Sequence, residues 1–173
     1  KNLSSPELML LILSAFFHDI GMSPEEKEVL TWRKVWDDEP EFENAEEQKI
    51  YSEFNRFYSA RPEQQEIIER LINQGKNTNA DTIKAYLITE YIRQTHADRA
   101  REIIEKDWNN KIVYRDTDLT VEFAQTCYSH NEDALTLLDL DKNFLCGANT
   151  IACLPLVGVV LRLADILDFD AKR

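Results

Sequence analysis

Apolar residues fill nearly every position of residues 8–17. Leu8, Leu10, Leu11, Ile12, Leu13, Phe16 and Phe17 surround a helical axis, a pattern that predicts a helix central to the fold. Ser4-Ser5-Pro6-Glu7 provides its start, with a serine to cap, a proline in the first turn and an acid that suits the helix dipole, and Gly21 marks its end. From 23 to 80 the character changes to an acidic helical insertion. It holds a short helical pattern (25–36), an acidic stretch (37–47) and aromatic-bearing helices around 51–58 and 62–72, closed by turn residues at 73–77. A long helix is then predicted from about Asp81 to His96, with Ile83, Tyr86, Leu87 and Tyr91 on one face, followed by a shorter one through Ile103 and Ile104. Asp118 can cap a helix that turns Leu119, Phe123 and Cys127 inward and ends at His130. The last helix starts around Pro155 and keeps Leu156, Val159, Val160, Leu163, Ile166 and Leu167 for the core. No apolar/polar alternation is long enough for a sheet, and only four Gly and five Pro interrupt 173 residues, so the expected class is all-α.

A chain of this length makes one domain, with roughly 70% of its unfolded surface hidden on folding. Its 20 Lys and Arg stand against 32 Asp and Glu, and the formal charge of −12 repels phosphate backbones and anionic lipid. Non-specific nucleic-acid binding and a membrane surface are therefore not expected. Residues 8–17 span about half the length a transmembrane helix needs. Cys127, Cys146 and Cys153 are odd in number and lack CxxC spacing, which fits a reducing cytoplasm better than a disulfide framework or a thiolate metal site. The start at Lys1-Asn2-Leu3 and the stop at Arg173, just after a strongly apolar segment, read as truncation at both ends.

The candidate chemistry lies with three histidines, each expected near a helix end beside a carboxylate: His18-Asp19, His96-Ala97-Asp98-Arg99 and His130-Asn131-Glu132-Asp133. Imidazole and carboxylate together suit Mn, Fe, Co, Ni or Mg. Neighbours on a regular helix point about 100° apart, so His18 and Asp19 can share an ion only where the helix is ending. The plain alternative is a half-buried histidine beside a surface acid. Arg162 and Asp165 interrupt the apolar last helix; the acid either pairs with Arg162 at i,i+3 or ligates a metal. Asp168 and Asp170 read as surface or helix-terminal acids. His96 and Arg99 share a face, as do His130 and Asp133, whose carboxylate could orient the ring, and each pair is alternatively a solvated helix end.

Taken in order, Phe16-Phe17-His18-Asp19-Ile20-Gly21-Met22, His96-Ala97-Asp98-Arg99, Ser129-His130-Asn131-Glu132-Asp133 and Leu161-Arg162-Leu163-Ala164-Asp165-Ile166-Leu167-Asp168 resemble the HD-domain metal-dependent phosphohydrolases. Within them the chain is most similar to bacterial HD modules that stand beside GHKL-type ATPase domains. The resemblance covers residues 8–170 and implies a single HD-type domain over 1–173, a helical bundle carrying the 23–80 insertion. It implies that His18, Asp19 and Asp165 ligate a divalent metal, one ion or two, and that His96 and His130 bind a second ion or act on phosphate, with Arg99 balancing phosphate charge. The family's first metal-binding histidine lies on a helix before the HD pair. Only seventeen residues precede His18 here and none is histidine, so the expectation is a chain cut downstream of that ligand, with its metal weakly held or absent.

Two function classes follow as expectations. One is a cytoplasmic metal-dependent hydrolase, a phosphohydrolase or phosphodiesterase acting on a nucleotide or another phosphorylated small molecule. The other is a catalytically inactive HD-fold regulatory or interaction module, coupled to an attached ATPase or effector domain in the same full-length chain, with the acidic, aromatic-bearing segment 32–58 either as its partner surface or as a solvated insertion packing a satellite core.

Overall fold

The computed structural model describes residues 2–37 and 40–168, with the side chain of Asp168 outside that description; Asp170 also lies outside the described residues. The fold is all-α, with seven α-helices among the described residues. These are α1 (Ser5–Phe17), α2 (Glu26–Arg33), α3 (Ala45–Ser59), α4 (Pro62–Asn73), α5 (Asn77–Asp107), α6 (Thr120–Ser129) and α7 (Leu154–Asp168). Two short antiparallel hairpins, β1 (Val113–Tyr114) with β2 (Thr117–Asp118) and β3 (Phe144–Cys146) with β4 (Thr150–Ala152), join them. Strands of two or three residues are too short to show an alternating pattern, which is why the sequence nominated no sheet.

The chain forms two compact units. The first comprises Lys1–Met22 and Thr95–Arg173. Here α1, α6 and α7 pack on one another around Leu10, Leu119, Phe123, Cys127, Leu154 and Val157, with Ile104 of α5 in the same core. Phe17 at the end of α1 lodges edge-on against Trp108 and Phe123, with centroids 4.8 and 5.6 Å away, and so pins the residue before His18 to the core. The start of α1 is fixed by Glu7, which is 2% exposed. Its carboxylate accepts the Ser4 N–H at 2.6 Å and the Cys153 N–H at 2.9 Å, tying the first turn of α1 to the entry of α7. Burial of a carboxylate is tolerable where both oxygens are bonded in this way.

Neither α1 nor α7 is buried as its composition suggested. Leu10 and Ser14 of α1 face the core, while Leu8, Ile12 and Phe16 form an exposed apolar stripe at i,i+4 spacing. The core face of α7 is Leu154, Val157 and Leu161, whereas Val159, Leu163, Ile166 and Leu167 are exposed. The stretch Ser5–Trp36 is apolar enough on average for a membrane span, but its first helix stops after 13 residues, about 20 Å of rise.

The second unit is Ser23–Gln94. Trp32 of α2, Phe54 and Phe57 of α3 and Tyr91 of α5 make an aromatic core in which ring centroids lie 5.2–6.1 Å apart, mostly edge-to-face. Ile68, Ala80 and Leu87 continue it beneath α4. Asn44 caps α3 by accepting the Glu47 N–H.

Candidate metal centre

His18 follows the last residue of α1. Its backbone N–H and its ring Nδ1 both meet the Ser14 carbonyl, at 2.9 and 3.1 Å. A carbonyl only accepts, so Nδ1 carries the proton and Nε2 presents a lone pair. That Nε2 lies 3.5 Å from Asp19 Oδ2 and 3.6 Å from Asp165 Oδ1. His130 repeats the device at the end of α6. Its Nδ1 donates to the Cys127 carbonyl, and its Nε2 faces inward, 3.7 Å from Asp19 Oδ1. His96 Nε2 stands 3.5 Å from the same oxygen and 2.9 Å from His130 Nε2. The five side chains that the sequence nominated as ligands and histidine partners, drawn from α1, α5, α6 and α7, thus come together within one compact unit.

This donor set fits a divalent cation on chemical grounds. Donor atoms of Asp19, His96 and His130 lie within 4.8 Å of one another, and the Asp165 and His18 atoms adjoin them. Lone pairs of imidazoles and carboxylates converge with no side-chain cation among the contacts just described, an arrangement that a proton or a metal ion stabilises. His96 and His130 are each 8% exposed and floor the cluster, whereas the Asp19 side chain is 56% exposed and leaves a mouth open to solvent. The Asp19 carboxyl is held below the ordinary aspartate value, first by the His130 ring that faces it and then by the charges of His18, His130 and His96, which together outweigh its burial. For His130, burial disfavours the imidazolium. Asp19, the Cys127 carbonyl and Asp165 overcome it and raise the ring above its ordinary value.

How Asp19 reaches the cluster is decided at Gly21. The chain leaves α1 through a 3₁₀ turn, Ile20–Met22, pressed so closely on α5 that a Cβ at Gly21 would lie 2.0 Å from the His96 carbonyl oxygen. Only glycine permits that approach. Arg99, one turn after His96, donates its Nε to the Gly21 carbonyl at 2.9 Å and holds the turn against the helix.

Several local expectations need correction. His96 is not at a helix end, because the two helices expected around it are a single helix, α5, of 31 residues. Asp133 does not orient the His130 ring; its carboxylate accepts the Leu135 N–H and caps the 3₁₀ turn Ala134–Leu138, and the Cys127 carbonyl holds the ring instead. Arg162 does not pair with Asp165. Its guanidinium donates to the carbonyls of Ser129, Glu132 and Asp133, and Asp165 turns to His18. The N-cap of α6 is Leu119 and not Asp118, which lies one residue earlier; its carboxylate accepts the N–H of Thr120, the first residue of the helix, at 3.0 Å. The sequence reading missed the Ser14 and Cys127 carbonyls, although a histidine three or four residues past a helical carbonyl at the last turn is the signal that finds them.

The family model HD-CE matches residues 1–173, the whole length of the chain. No curated protein and no solved structure matches it. An all-α chain whose His-Asp pair gathers two more histidines and a distant aspartate agrees with that match, and the protein is an HD-type domain belonging to the HD-CE family.

Proposed function

We propose that the protein is a metal-dependent phosphohydrolase or phosphodiesterase, acting in the cytoplasm on a nucleotide or another phosphorylated small molecule. The observation that carries the reading is the convergence of His18, Asp19, His96, His130 and Asp165 on one open-mouthed cluster. His18, Asp19 and Asp165 would hold the ion, with His96 and His130 available to a second ion or to the phosphate. A divalent ion bound there supplies charge that acidifies water and draws phosphoryl oxygens. The chain's own residues do the rest. Asp19, kept ionised, supplies the anionic donor. One proton lies between the Nε2 atoms of His96 and His130, 2.9 Å apart, and from there it can be delivered to a leaving oxygen and returned. The Arg99 guanidinium, anchored through Nε on Gly21, balances charge growing on phosphate oxygens. An ATPase domain elsewhere in the full-length protein is the proposed partner.

The test is metal analysis of the purified protein together with a phosphoester and nucleotide panel under titrated Mn. Product release by wild type and its loss in Asp19→Ala is the expected result. A protein that binds the ion yet turns over no phosphoester overturns the catalytic reading in favour of a regulatory or interaction module on the same fold.

A further inference from the structure

We propose that Arg162 is a positioning residue for the donor cluster, a role that rests on the metal reading above. Helix α6 ends at Ser129, and the carbonyls of a helix C-terminus lack partners within the helix and favour a cation. Arg162 meets that need from α7. Its Nη1 donates to the Ser129 carbonyl at 3.2 Å and the Asp133 carbonyl at 3.4 Å, and its Nη2 to the Glu132 carbonyl at 2.8 Å. His130 sits inside the segment thus gripped, and its ring is tied to Cys127 one turn earlier. Its main-chain N–H and its ring both hold the Cys127 carbonyl, and Arg162 holds the carbonyls on either side of it.

The grip matters because of where Arg162 stands on α7. Asp165 follows it by three residues, less than one turn, and that carboxylate is the one beside His18 Nε2. One turn before it, Gly158 lets α7 lie close, since a Cβ there would come within 2.6 Å of Leu137 Cδ2 and 3.2 Å of Ser129 Oγ. A single edge of α7 thus carries the Asp165 donor, holds the loop bearing the His130 donor, and rests directly on the end of α6. The fork of the guanidinium sets the spacing between two donors that reach the cluster from different helices. An ordinary helix cap would need only one of those three bonds.

Arg162→Gln and Arg162→Lys decide the matter through two readouts, Mn affinity by calorimetry and the ¹⁵N pattern of the His130 ring in metal-free protein, both taken well below the unfolding midpoint. Arg162→Gln should weaken Mn binding tenfold or more, as loss of such outer partners does, and should disturb the His130 ring pattern, in which Nδ1–H holds the Cys127 carbonyl. Arg162→Lys, which keeps the charge without the fork, should recover part of both. A folded Arg162→Gln protein with wild-type Mn affinity and a wild-type His130 pattern overturns the proposal. Should Arg162→Gln not fold, Arg162→Lys alone carries the test: severalfold weaker Mn binding supports the role, and unchanged values on both readouts refute it. Wild type that binds no Mn refutes the metal reading instead, and the His130 pattern then decides the role of Arg162.

Discussion

Gly21 and His96 touch backbone to backbone. The Cα of Gly21 lies where an added methyl group would sit 2.0 Å from the His96 carbonyl oxygen and 2.7 Å from the Ala100 nitrogen, with nothing flexible to give way. Gly21→Ala must therefore lift the 3₁₀ turn off α5 and carry Asp19 with it. The expected cost is about 3 kcal/mol, the upper end for overpacking, read by denaturant unfolding, with Mn affinity falling alongside. Near-native stability in Gly21→Ala would show that the turn tolerates displacement.

Asp19→Ala separates the carboxylate's two effects on His130. With the partner gone, burial is left as the leading influence on the ring, and the His130 value should move downward. Titration of the His130 ring protons by NMR in metal-free protein measures it. An unchanged or higher value would mean that Asp19 does not govern the ring.

In the second unit Glu47 gives a pH signature. Its carboxyl is held below the ordinary glutamate value by the Lys34 ammonium first, then by the Glu43 N–H, bonded at 2.7 Å. A carboxyl depressed in the folded state contributes stability above its unfolded value of about 4.5, and that contribution is lost as pH falls through the folded value. Glu47→Gln should therefore destabilise the protein at pH 7 and close the gap to wild type progressively below pH ~4.5. A gap constant down to acid pH would contradict the assignment.

Cys127 should resist alkylation. Burial pushes its thiol up to about 12, and the Ser14 hydroxyl beside it offsets little of that, so almost no thiolate exists at pH 8. Mass spectrometry after iodoacetamide treatment of native protein should find Cys127 unmodified while the half-buried Cys153 labels. Labelling of Cys127 at the rate of Cys153 would show that α6 opens readily.

The helices and the His-Asp pair were legible because both are written locally, the helices in periodicity and caps, the pair in a helix that ends at glycine. What escaped notice depends on partners distant in sequence. The expected break after His96 is no break, since Ala97, Ala100 and Ile104 carry the buried stripe of α5 onward. Two of the three are alanines, which carry little hydrophobic signal in a pattern, and the Gly21 turn lies against the helix backbone at the nitrogen of one of them, Ala100. Arg162 and Asp165 have the spacing of a helical ion pair, and nothing in α7 reveals that the end of α6 offers three carbonyls instead. Glu7 announces a helix start, yet its second bond, to Cys153, joins residues 146 apart.

The anchoring of His18 and His130 to carbonyls of their own last helical turns divides the specification of the cluster into two independent parts. Each ring takes its bearing from a reach of four residues or fewer, whereas the gap between rings is set by how four helices stack. Damage to the hydrophobic packing would accordingly spread the donors apart with their aim preserved. On the metal reading, the site would then lose its grip by dilation and not by misdirection of its side chains.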